Sequence, residues 1–117
     1  MKKDLKDRTK AFAIRVWKLC SSFPKSREFN AYVNQLIRSS SSVGANYRAS
    51  QRAKSRADFI NKLKIVEEEI DESMYFLELL IETSKENISE MKLIHAEANE
   101  ILAIVVSSIK TARANGK

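Results

Sequence analysis

The residues of this chain best suited to chemistry are an acidic run, one histidine, one cysteine and a row of serines. The acidic run is Glu67-Glu68-Glu69-Ile70-Asp71-Glu72. Such carboxylates hold a metal when they converge from two helices with Glu-x-x-His pairs among them. His95, the sole histidine, has Lys92 three residues before it, so that pair is missing. The run reads instead as a solvated or salt-bridged face. Cys20 is the sole cysteine. It makes neither an intramolecular disulfide nor a metal cluster and reads as a small buried thiol. The serines Ser39 to Ser42 are potential nucleophiles. No base follows them in a recognisable order, and His95 belongs to another helix with no evident orienting acid. A nucleophile, base and orienter cannot be assembled. The expectation is a protein that is not an enzyme, with no catalytic residue, metal or cofactor.

Charge is distributed unevenly. Residues 1–64 hold 16 lysines and arginines against 4 acids, while residues 65–117 hold 5 against 11. The whole chain carries +6. A basic half of this kind suits a polyanion partner. It suits equally well pairing with the acidic half, within or between subunits, and the sequence leaves both readings open. The candidates for phosphate contact are Lys3, Lys6, Lys10, Arg15 and Lys18 near the start, and Arg48, Arg52, Lys54 and Arg56 further on. Only Trp17 and Tyr47 are aromatics expected beside them. Phosphate contact is therefore better supported than base stacking, and weak sequence preference is expected. Arg38 is a candidate ion-pair partner for Glu68, Glu69 or Glu72 across a helix hairpin, fixing register more than adding stability.

The elements that must position these groups are helices. A chain of 117 residues is one domain with room for a single core. Two glycines and one proline are too few for a many-turned β fold. The expected architecture is all-α, an antiparallel up-down-up-down four-helix bundle. Its helices are expected at about 4–21, 27–54, 56–84 and 90–112. Pro24 lies in the first turn. Ser55, with Asp58 three residues on, caps the third helix, and Ser89 is the expected cap of the fourth. The expected core stripes are Leu5, Phe12, Val16 and Leu19; then Phe59, Leu63, Val66, Ile70, Met74, Leu77 and Ile81; then Met91, Ile94, Ala98, Ile101, Leu102, Val105 and Ile109. The charged start, MKKDLKDRTK, is not followed by an apolar segment, and no stretch reaches the ~20 apolar residues of a membrane span. The expectation is a soluble, cytoplasmic protein with no membrane partner.

Three helices carry apolar residues away from these stripes: Ile14 and Trp17; Tyr75, Phe76 and Leu79; Leu93 and Ile104. An isolated bundle needs one stripe per helix. The surplus predicts an interface between copies, because large exposed apolar patches mark interaction sites, with Trp17 or Phe76 buried between subunits. In the second helix, Phe29, Val33, Leu36, Ile37, Ser40, Val43, Gly44 and Tyr47 share one face at about 100° per residue. Ser40 and Gly44 make a notch there for a close helix approach. Gly44-Ala45 has no phosphate-loop context.

The stretches QLIRSSSSVGAN (Gln35 to Asn46), RAKSRADFINKL (Arg52 to Leu63) and IVEEEIDES (Ile65 to Ser73) resemble the 23S rRNA intervening-sequence proteins. The matching motifs run from Leu36 to about Leu80. That family is similar in fold to the accessory variability determinant of diversity-generating retroelements. The resemblance implies a small basic bundle that assembles as a homopentamer. It also implies nucleic acid as a partner and, through the retroelement relative alone, a protein partner such as a reverse transcriptase. Tyr47-Arg48-Ala49-Ser50 departs from the Ile-Ala-Glu-Gly type of segment common in the family, so no role of that acidic residue carries over. Two functional readings stand: a non-enzymatic, oligomeric nucleic-acid-binding bundle, or a protein-interaction scaffold that does not bind nucleic acid directly.

Overall fold

A computed structural model describes residues 4–116. Four helices account for most of them: α1 (Leu5–Cys20), α2 (Arg27–Ser50), α3 (Arg56–Thr83) and α4 (Ile88–Ala114). Among the described residues there is no strand. Each helix packs on its neighbours in chain order and α4 closes against α1, while the diagonal pairs α1/α3 and α2/α4 do not approach each other. This is the expected four-helix bundle.

Pairs across the seams give the helix directions. Tyr32 meets Phe76 and Ser39 meets Ser73. Arg8 meets Glu97 and Arg15 meets Glu90. Numbers rise on one helix as they fall on the next, so these neighbours run antiparallel. One end of the bundle therefore gathers the α2–α3 turn, the start of α1 and the end of α4. The other end holds the remaining two turns, joined by Asn87 Nδ2 donating to Ser22 Oγ at 2.8 Å.

Helix starts follow local chemistry. Asp4, Ser26 and Ser55 each accept from the backbone N–H three residues on, satisfying donors that the helix cannot. Asp58 reciprocates by accepting from Lys54 N–H at 3.1 Å. The start of α4 departs from expectation. Asn87, not Ser89, is the cap, at φ 61° and without a side-chain cap bond. Asparagine tolerates this left-handed region better than most residues, and the helix starts two residues early. The end of α2 also differs: it stops at Ser50 rather than Lys54. Arg52 and Ala53 N–H then bond to Ala49 and Ser50 carbonyls, tightening the chain into the turn.

The core is one cluster. Leu5, Phe12, Val16 and Leu19 of α1 are buried as expected, with Thr9 filling the gap in their spacing. In α3 the seam is Leu63, Val66, Ile70, Ser73, Leu77 and Leu80. Phe59, Met74 and Ile81 flank it half-buried. Ser73 belongs to the seam because its hydroxyl, 2.9 Å from Ser39 Oγ and 2.8 Å from Glu69 O, satisfies itself inside the core. The notch in α2 is occupied by α1: a Cβ added at Gly44 would sit 3.3 Å from Thr9 Oγ1. Cys20 is a buried free thiol whose burial pushes its pKa up to about 11.

Candidate nucleic-acid interface

The cations of the basic half divide into two populations. Arg8 makes a two-pronged contact with Glu97, at 2.7 and 3.0 Å, and reaches Glu100 at 3.3 Å. Arg15 grips Glu90 through two bonds of 2.7 and 2.9 Å. These clamps lie seven residues apart on α1 and on α4. The forked guanidinium matches both carboxylate oxygens at each clamp. Each arginine pKa is raised by its carboxylate, and Glu90 is held below the ordinary carboxylate range by Arg15. Arg38 spans α2 and α3 to Glu69, at 3.2 Å, and to Glu72. Glu68, the third acid expected near it, stays exposed without that pairing. Arg15, one of the phosphate candidates, is engaged by Glu90 across the α1–α4 seam.

The second population has no acidic partner among the described residues. Lys6, Lys10, Lys18, Arg48, Arg52, Lys54 and Arg56 are all exposed and form no ion pair there. Lys3 lies outside the described residues. Arg48 ends α2, Arg52 and Lys54 lie in the turn, and Arg56 opens α3, so these four share one end of the bundle. Lys6 enters the same end, because α1 begins there. Lys18 sits toward the opposite end, near the close of α1. The acids near the cluster are few. Asp58 is occupied by Lys54 N–H, which does most to lower its pKa, and by the Lys62 ammonium at 3.2 Å.

Two cations of this end lie in the acidic half of the sequence. Lys110 and Arg113, both exposed, belong to the last turns of α4. The antiparallel order brings those turns back to the start of α3: a Cβ added at Gly116 would lie 3.2 Å from Arg56 Cδ and 3.3 Å from its Nη1. Their signal was the bundle topology rather than any local motif. Beside them an open groove of about 900 Å³ lies between the α2–α3 turn, the start of α3 and the end of α4. Tyr47 is half-buried against the core, its pKa raised first by burial and then by Asp4.

Other candidates fall elsewhere. Ser39 and Ser40 are buried and bond to the Leu36 and Ile37 carbonyls. His95 lies on α4, which is diagonal to their helix. His95 does have an acid beside it, contrary to expectation: Glu78 Oε2 is 2.8 Å from Nε2. Among the described residues no group of three or more metal-ligating side chains is gathered. Among the described residues no helix is long and apolar enough to cross a membrane. Of the surplus apolar residues, Ile14, Trp17, Tyr75 and Leu93 are exposed, Trp17 at 64%. Leu79 is half-buried. Phe76 and Ile104 lie partly buried against the core of their own subunit, Phe76 with its ring 6.1 Å from Tyr32.

No curated protein matches the chain. A crystal structure of a protein of unknown function from the S23 ribosomal protein family of Bacteroides thetaiotaomicron superposes with a TM-score of 0.84, at 37% identity, over 92% of this chain and 99% of its own. The family model described as 23S rRNA-intervening sequence protein matches residues 2–107. That span takes in all of α1, α2 and α3 and most of α4, so the chain belongs to the 23S rRNA-intervening sequence protein family.

Proposed function

We propose that this protein is a non-enzymatic, self-assembling bundle of the cytoplasm that binds nucleic acid, RNA foremost, through the end of the bundle that carries the α2–α3 turn. One observation carries the reading: Arg48, Arg52, Lys54 and Arg56 cluster at that end exposed, their side chains in no ion pair among the described residues, while Arg8, Arg15 and Arg38 are engaged by internal carboxylates. Lys6, Lys110 and Arg113 extend the cluster. Phosphate contact by such side chains is independent of sequence and weakens with salt. The family's name supports RNA as the polyanion.

Self-assembly is supported by the exposed Ile14, Trp17, Tyr75 and Leu93. The homopentamer rests on the family resemblance. The same residues support the second reading, a scaffold whose partner is another protein. A pull-down with and without nuclease, with bound RNA sequenced and proteins identified, separates the two. RNA recovered and abolished by charge reversal at Arg48, Arg52 and Arg56 supports the first reading. One protein retained after nuclease, with no RNA enriched, overturns it.

A further inference from the structure

We infer that the groove at this end of the bundle receives unpaired nucleotides of an RNA strand, so that the protein favours single-stranded RNA over duplex. The inference rests on the nucleic-acid reading above and names the form of RNA. Three observations carry it. The groove, about 900 Å³, is of the size that takes small ligands rather than a helical duplex. Its lining mixes hydroxyls and apolar groups: Ser107 and Thr111 of α4, with Ser108 Oγ donating to the Ile104 carbonyl, beside Phe59 and Ile104. Hydroxyls both donate and accept, which suits base edges and the ribose 2′-OH. Apolar and aromatic walls suit the base faces. The third observation is charge. Arg56 lines the groove itself, and Arg52, Lys110 and Arg113 are exposed close to it in the chain.

The parts divide the labour. Cations along the rim hold consecutive phosphates and bring the strand to the groove. The groove then admits only bases that are not stacked in a pair. In A-form duplex the bases stay stacked in pairs and their major-groove edges lie in a deep, narrow groove, so a duplex touches the cations and no base enters the groove. Ser107, Thr111 and Ala103 are exposed on α4, so larger side chains at these positions extend into the groove without entering the core.

Fluorescence anisotropy tests this with a short polyuridine RNA and a duplex RNA of matched charge, on the full chain. The variants are Ser107→Leu with Thr111→Leu and, separately, Ala103→Leu, each checked for helix content and assembly mass. Excluding one base from the groove, at about 1–3 kcal/mol, corresponds to roughly a five- to 150-fold weakening. The expected result is that filling the groove weakens polyuridine binding by about tenfold or more and leaves duplex binding and its salt dependence unchanged. Equal binding of polyuridine by wild type and both filled variants, alongside weakened binding on charge reversal of Arg52 and Arg56, overturns the groove while the nucleic-acid reading stands. Filled variants that change assembly mass but not RNA binding make the groove a face between copies and also overturn it. A wild type that binds neither RNA overturns both readings.

Discussion

At Gly44 α1 and α2 approach closely, and its substitution is decided by Thr9. A methyl added there meets Thr9 Oγ1 at 3.3 Å, and Thr9 is fully buried. Its branched side chain has little freedom to withdraw. Alanine, however, gains about 0.5–1 kcal/mol of helix stability over glycine. The two effects nearly cancel, so Gly44→Ala is expected within about 1 kcal/mol of wild type. Gly44→Leu has no such compensation and overfills the notch, at a cost of about 1–3 kcal/mol. Urea unfolding followed by circular dichroism reads both changes. The glycine's role was legible in the sequence because Ser40 and Gly44 fall on the one helix face that Phe29, Val33, Leu36, Ile37, Val43 and Tyr47 make apolar. Ser39 and Ser73 were not legible as core. A serine buried by pairing with another serine looks, in sequence, like any surface serine.

The α1–α4 seam is the sparsest of the four, and two arginine clamps span it. Glu90 is held below the ordinary carboxylate range by Arg15. Its contribution is therefore present above the unfolded pKa, near 4.5, and disappears as pH falls through the depressed value. Arg15 and Glu90 are 41% and 40% exposed, so solvent screening limits the pair to about 0.5–1 kcal/mol. Glu90→Gln is expected to cost that much at neutral pH, and the difference from wild type is expected to disappear by about pH 3. Urea unfolding at the two pH values checks it, and a constant difference would contradict the pairing. Element identity was legible wherever a cap was strong. Ser55 opens α3 as its spacing to Asp58 requires. The end of α2 was not legible, because residues 51–54 turn without glycine or proline. Nor was Asn87, whose cap uses backbone conformation instead of a side-chain bond. Lys110 and Arg113 were hidden for a larger reason. They stand in the acidic half of the sequence, and only the antiparallel return of α4 carries them to the basic end.

For the whole molecule, the uneven charge of the sequence resolves into fastening and surplus. Arg8, Arg15 and Arg38 neutralise carboxylates of α3 and α4. The cations around the α2–α3 turn are left over, and they define the proposed face. Trp17, Ile14, Tyr75 and Leu93 are exposed apart from that face, and the proposed self-assembly would cover them. We expect light scattering at micromolar concentration to give a mass of five chains. Replacing Trp17 with glutamate is expected to dissociate the assembly while most of the helical signal survives; a stable one- or two-chain mass for wild type would contradict the pentamer. The central claim is that the turn end binds phosphates, and its most direct test is RNA affinity measured against salt. Anisotropy of a labelled RNA is followed between about 50 and 200 mM salt for wild type and for the Arg48→Glu, Arg52→Glu, Arg56→Glu variant. The account predicts weaker binding by the variant and a log–log slope flattened by about 0.7–0.9 for each phosphate that the variant no longer neutralises. Unchanged affinity and an unchanged slope would contradict it.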